Sequence, residues 1–473
     1  MYLTSFTAKD IKCFKDVTIE LPSSNGSYAG WTVILGANAT GKTTFLQAMA
    51  AALVGASPAM RLMSPTSWIR PGVTYGKLEA RFLPGEKDVA EGKPRNQPYR
   101  ASFAVIGKEP VEIDGAAYES EKIVLLGIRD DKEYRGLVKG PYAANKKGWL
   151  VCGYGAFRRF TGGAENPLSH ERGRVGRVAS LFHESVSLTR DLDWLPKLYS
   201  KSRDAKSIDP NAPDAQKAMQ EYEMVRRLLD QLLPAPVQIA DVDTEQVYFS
   251  APGTSRVDLL ELSDGYRSFL ALVMNLLRQV ADVFGAIAPL VQEDDGVLSV
   301  DADGVVLIDE VDLHLHPTWQ REIGPRLLQI FPRLQFIVSS HSPFIAQAAM
   351  RDGLFVFRAG TKDAPMTVIR PAERVSGWTA EQILLSPLFG LTDTRDPETE
   401  RLLDEHAVLR GKAKFDGIDA RDQARLITIE RALAERLTSP GELRKDEVDN
   451  VVKLAAEKVR RMRGAEAGAT SAK

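Results

Sequence analysis

The spacing of apolar positions changes several times along the chain, dividing it into five stretches. In residues 1–72, LTSFTAKDIKCF (Leu3–Phe14) alternates apolar and polar positions and DVTIEL follows, so both predict paired strands. WTVILG, ending at Gly36, is an unbroken apolar run that predicts a buried strand, and TTFLQAMAAALVG then takes up helical spacing and stops at Gly55. Across residues 73–155 the β-type runs KLEARFL, YRASFAVIG and WLVCGYG are separated by polar loops with glycine and proline, predicting an antiparallel sheet. Residues 156–236 predict a helical insertion that includes AQKAMQEYEMVRRLLDQLL, with no heptad sustained long enough for a long coiled coil. Within residues 237–370 lie a long helix, SFLALVMNLLRQVADVF, and two buried-strand runs, VVLID and QFIVSS. Residues 371–473 read as charged helices ending in the basic run KVRRMR and a frayed small-residue tail. The fold class is α/β: a phosphate-loop mixed sheet, an antiparallel β lobe, a helical insertion and a helical C-terminal region.

The predicted strand–turn–helix around Gly36 gives a motif its context. Gly36-Ala37-Asn38-Ala39-Thr40-Gly41-Lys42-Thr43 fits G-x-x-x-x-G-K-[ST] at every required position. Its glycines let successive backbone N–H groups face phosphate oxygens, and the helix adds its positive end. Lys42 is expected on the β/γ-phosphates of ATP and the Thr43 hydroxyl on Mg²⁺.

A second motif ends the run VVLID. Adjacent acids, Asp309 and Glu310, close an apolar strand, and carboxylates there need charge partners that Mg²⁺ can supply. Asp309 is expected to reach the metal through its water shell and Glu310 to polarise the attacking water. His341 closes the other buried run and is expected to sense the γ-phosphate. The segment Asp312-Leu313-His314-Leu315-His316-Pro317 places two histidines two apart, but no further Cys or His lies nearby, so a structural turn is favoured over zinc. Ser263 and Gly265, in LSDGYRS, stand at the start of the long helix, a second anion-binding device. One nucleotide does not need two such cradles, so this one is expected to close on ATP held by another subunit.

Composition narrows the setting. The chain has 473 residues, 44% hydrophobic and 26% charged, enough for more than one structural lobe. No apolar run approaches the roughly 18 residues of a membrane helix, and the start reads as a strand rather than a signal peptide. Two cysteines, Cys13 and Cys152, suit a reducing cytoplasm. A formal charge of −2 offers no bulk attraction to nucleic acid, so contact with DNA or RNA would be local or through a complex.

The motifs GANATGKTT, ELSDGYRS, VVLIDEVDLHLHP and IVSSHSPFI, with the entry strand around Phe14, resemble the ABC-class AAA family ATPases of the RecF/SMC/OLD group over about residues 1–360. The resemblance implies an ABC-ATPase head whose ATP contacts run from Gly36 to Thr44. It implies two heads enclosing two ATPs, with Ser263 and Gly265 acting in trans and Asp312 crossing the interface. The place of that family's metal-positioning glutamine is taken by GYGAFRRF, with Tyr154, Arg158 and Arg159; the arginines read equally as structural or partner-binding. Asp264 and Tyr266 replace residues usual in transporter ATPases, and the helical C-terminal region lacks the acidic strand ends of the OLD nuclease.

GYGAFRRF, ELSDGYRSFLALV, HLHPTWQREIGPRL and GWTAEQILLSPLFGLTDTRDPETERLLDEH are similar to the stand-alone ATPases of Septu- and retron-type phage defence. That likeness implies an ATP-sensing subunit that forms a head-to-head dimer or higher oligomer and works with a separate HNH nuclease. Two alternatives stay open: a RecF-like repair clamp that binds DNA directly, and a scaffold that holds ATP without turnover.

Overall fold

A computed structural model describes residues 1–89, 95–126, 131–143, 147–158, 166–188, 191–360, 365–415 and 417–437. The chain divides into two compact units, Met1–Ile383 and Leu384–Lys473.

In the first unit, uninterrupted apolar runs form the middle of a six-stranded sheet. Its order is Thr367–Ile369, Leu354–Arg358, Gly30–Gly36, Leu334–Ser340, Gly304–Ile308 and Leu150–Tyr154. All neighbours are parallel except the terminal pair, Leu354–Arg358 with Thr367–Ile369. Gly304–Ile308 and Leu334–Ser340 are buried at every position, as strands covered on both faces must be.

Alternating sequences form the second sheet, antiparallel throughout, in the order Phe14–Glu20, Tyr2–Ile11, Tyr75–Leu83, Tyr99–Ile106 and Lys122–Leu126. Two segments change places relative to the sequence reading. The entry strands of residues 1–72 join this sheet by pairing Tyr2–Ile11 with Tyr75–Leu83. WLVCGYG, expected in the antiparallel part, instead forms the edge of the parallel sheet beside Gly304–Ile308. The reason is its lack of polar positions: Leu150–Tyr154 is buried on both faces, and Gly153 leaves room for Val178 and Leu181 of the helix Gly173–Phe182.

Helix Lys42–Val54 lies between the two sheets and is apolar on nearly every side, the composition of a helix with no solvent face. Phe45 sits at its centre, with ring centroids 5.1 Å from Phe6, 5.2 Å from Phe14 and 5.1 Å from Phe357. The phosphate-loop helix is thereby fixed to both layers.

The helical insertion contains Gly173–Phe182, Trp194–Ile208 and Pro213–Leu232, the last two packed as a pair. A three-stranded sheet, Gln238–Val242, Val247–Ala251 and Thr254–Asp258, leads into the long helix Asp264–Phe284. No described helix is long and apolar enough to cross a membrane.

In the second unit, helices Pro397–Phe415 and Ala420–Leu437 pack through Leu402, Leu409, Leu426, Ile429 and Leu433. Arg425 grips Glu405 through two hydrogen bonds of 2.7 Å each. KVRRMR and the small-residue tail lie outside the described residues.

Candidate nucleotide site

Sheet order creates the site. Gly30–Gly36, Leu334–Ser340 and Gly304–Ile308 are neighbours and parallel, so their carboxyl ends meet along one edge. Loops from residues 36, 308 and 340 leave together, which brings Lys42 to His341 across 299 residues and Thr43 to Asp309 across 266.

The loop itself is shaped for close approach. A Cβ on Gly36 would meet Phe357 O at 2.6 Å and Thr40 Oγ1 at 2.7 Å; one on Gly41 would meet Cys13 Sγ at 2.6 Å. Gly41 also holds φ +87°, a conformation that costs glycine little. Asn38 and Ala39 are exposed, whereas Thr40 turns inward and donates to Ala37 O at 2.8 Å. Residues 38–44, Lys12, Cys13, Glu310 and His341 line a cleft of about 360 Å³.

Lys42 Nζ donates to Gly36 O (2.8 Å) and Ala37 O (3.0 Å) and lies 2.9 Å from His341 Nε2. An ammonium has only donors, so the imidazole offers its lone pair there. Burial lowers the Lys42 pKa, against the opposing pull of Asp309, Glu310 and Asp312. Burial and the Lys42 charge also hold His341 below the ordinary histidine value.

Thr43 Oγ1 donates to Asp309 Oδ2 at 2.7 Å, and Ser339 Oγ donates to Asp309 Oδ1. A hydroxyl and a buried carboxylate set side by side match the oxygen preference of Mg²⁺, and the glycine loop leaves space that side chains would fill; the residues fit ATP–Mg²⁺. Glu310 faces the cleft on a left-handed backbone, φ 44°. Among the described residues no group of three or more His, Cys, Asp or Glu side chains could hold a metal. His316 instead caps the helix Pro317–Ile330, accepting from Thr318 N, and His314 is exposed.

Ser263 and Gly265 are not part of this cleft. They open the helix Asp264–Phe284, where Ser263 is exposed and makes no capping hydrogen bond. Gly265 is buried against the segment after the acidic pair: a Cβ there would meet His314 O at 2.5 Å. Asp312 Oδ1 is buried without a hydrogen-bond partner among the described residues.

Sequence reasoning left three contributors unassigned. Lys12 and Cys13 line the cleft, with Lys12 Nζ 4.4 Å from the Trp68 ring centroid, and Ser339 holds Asp309. Their only sequence signal is proximity to Phe14 or His341. Arg158 turns inward and bonds the backbone of the acidic pair, so of the two open readings its contacts are structural. Arg159 lies outside the described residues.

Residues 163–346 match a family model described as "AAA domain, putative AbiEii toxin, Type IV TA system", and residues 5–121 match one described as "AAA domain". Septu protein PtuA of Bacillus mycoides (strain KBAB4) is 23% identical over 403 residues, 85% of this chain and 46% of the relative. The "Retron Ec83 probable ATPase" of Escherichia coli is 34% identical over 167 residues, 35% of this chain and 28% of the relative. The chain thus spans about half or less of the length of these relatives. A solved SMC head bound to the C-winged helix domain of ScpA covers 78% of this chain and 98% of that one, at 16% identity and a TM-score of 0.44. With its phosphate-loop motif, acidic strand end and two AAA-domain matches, the chain carries the parts of an AAA domain and is similar to the Septu PtuA proteins and the retron ATPases.

Proposed function

We propose that the chain binds ATP–Mg²⁺, hydrolyses it between two heads, and serves as the ATP-sensing subunit of an anti-phage defence complex with a separate nuclease. The carrying observation is one cleft lined by Lys42, Thr43, Glu310 and His341, with Asp309 bonded to Thr43 behind it, while Ser263 stands exposed elsewhere.

In this reading Lys42 exchanges its bonds to Gly36 O and Ala37 O for β/γ-phosphate oxygens, and backbone N–H groups from Gly36 to Thr44 hold the rest of the chain of phosphates. Thr43 and Asp309 hold Mg²⁺, which when bound neutralises charge on the phosphates. Glu310 takes a proton from water as the water oxygen bonds to the γ-phosphorus. The bond to the β,γ-bridging oxygen breaks, leaving ADP and phosphate. His341 bonds a γ-phosphate oxygen, and Ser263 and Gly265 of a second copy cover the same phosphate. A soluble, cytoplasmic setting belongs to this proposal, as does contact with DNA or RNA through the nuclease-bearing complex.

Turnover by the purified protein and by Glu310→Gln tests the chemistry. The variant is expected to keep ATP affinity and lose turnover by about a hundredfold or more, the scale of a removed general base. No turnover by the wild type would return the chain to a scaffold that only holds nucleotide, and an unchanged rate in the variant would remove Glu310 as the base. Co-expression with the product of the adjacent gene tests the partner: a copurifying nuclease supports the proposal, and a neighbour that is neither nuclease nor toxin, with nothing copurifying, overturns it.

A further inference from the structure

Arg158 lies behind the acidic pair rather than in the cleft. It follows the strand Leu150–Tyr154 through a turn at Gly155, where a Cβ would meet Ser180 O at 2.3 Å. Only glycine passes there, and the passage aims the next residues beneath the end of Gly304–Ile308. The side chain is 5% exposed. A guanidinium so buried is costly unless its donors and its charge are both answered.

Both are. Arg158 donates to Gly155 O at 3.3 Å, Asp309 O at 3.0 Å and Glu310 O at 3.1 Å. Asp309, Asp312 and Glu310 stabilise its charge, though burial still pushes the guanidinium down to about 10. It therefore remains a cation at neutral pH.

The carbonyls it holds belong to the two residues on which the proposed chemistry turns. Past the strand end at Ile308, Asp309 N still bonds Tyr154 O at 2.8 Å and Val311 N bonds Ser339 O at 3.1 Å, and between them Glu310 takes up φ 44°. A non-glycine residue stays in that conformation only when its surroundings hold it. Ser339 Oγ accepts from Glu310 N at 2.8 Å, and Leu313 N donates to Glu310 O at 3.0 Å. Arg158 adds the remaining hold on Glu310 O and grips Asp309 O with the same planar group, a geometry that one ammonium cannot copy.

We propose that Arg158 is a positioning residue for ATP hydrolysis: its buried guanidinium clamps the Asp309 and Glu310 carbonyls and so keeps the Glu310 carboxylate aimed at the cleft. The role rests on the hydrolysis reading above. It does not line the cleft, so its removal is expected to act on the rate of the chemical step and to leave ATP binding intact.

The test compares wild type, Arg158→Lys and Arg158→Gln by thermal melting, by binding of a fluorescent ATP analogue and by steady-state turnover. In Arg158→Lys the expected result is a folded protein with ATP KM within about threefold of wild type and kcat lower by about tenfold or more, the signature of an interaction made for the transition state. Arg158→Gln, which keeps two N–H donors without charge, is expected to bind ATP and to turn over no faster than the lysine variant. Undiminished kcat in Arg158→Lys overturns the proposal, and so does a raised KM at constant kcat, which would make Arg158 a nucleotide ligand. If neither variant folds, Arg158 is a residue of the fold alone and the proposal fails. Wild type that binds ATP without hydrolysing it fails differently: it overturns the hydrolysis reading, and this role with it.

Discussion

His341 and Lys42 meet in one contact, and burial bears on the protonation of both. The imidazole sits 2.9 Å from an ammonium that can only donate, and burial together with that charge depresses its pKa. As pH falls through the unfolded value of about 6.5, the unfolded chain binds a proton that the folded chain resists. Whatever stability this histidine contributes is therefore present above that pH and lost as pH drops below it. Proton NMR should find His341 titrating below the ordinary histidine range, and Lys42→Met should move it upward by removing the cation. A midpoint unmoved by the substitution would mean that the charge of Lys42 does not act on the ring.

At the scale of elements, the strand Leu150–Tyr154 ties the acidic strand to the helix that begins at Ser263. On one side Tyr154 O accepts from Asp309 N at 2.8 Å. On the other, Tyr154 OH donates to Asn275 Oδ1 at 2.8 Å, and the Asn275 amide and Arg278 both donate to Asp191. Asn275 and Arg278 belong to Asp264–Phe284. Tyr154→Phe deletes one hydroxyl and leaves Asn275 Oδ1 buried and unanswered, which should destabilise the protein by about 1–3 kcal/mol. Urea unfolding followed by tryptophan fluorescence would measure the shift, and no loss of stability would show the hydrogen bond to be dispensable. The same strand illustrates where pattern reading falters. WLVCGYG marks a buried strand, but an apolar run carries no label for the sheet it joins, and only its pairing with Gly304–Ile308 decides that.

For the whole molecule, the exposed Ser263 and the cleft around Lys42 make the proposed trans arrangement testable by mixing. Lys42→Ala disables a chain's own phosphate loop, and Ser263→Arg disables what it offers a partner, so each variant alone should be inactive. In a mixed dimer, one site carries both lesions and the other carries none. Equal mixing with free exchange should then restore about a quarter of wild-type turnover, because half of the closed dimers are mixed and each has one intact site. No recovery after verified exchange would mean that Ser263 serves its own chain's nucleotide.

Much of this protein is legible before it folds. The glycine-rich loop, the acids after VVLID and the histidine after QFIVSS declare themselves because phosphate cradling and carboxylate placement demand particular residue types at fixed local spacing. Hydrophobic period likewise marks strands and helices, since each element has its own repeat. What the sequence could not decide is everything set by neighbours in space. The adjacency of Gly30–Gly36, Leu334–Ser340 and Gly304–Ile308 brings Thr43 to Asp309 and Lys42 to His341. Arg158 was one of two arginines in a turn until its guanidinium met the carbonyls of Asp309 and Glu310. Local chemistry is written in short range, but a buried charge finds its partners only when distant strands pack, and that is decided by the tertiary fold.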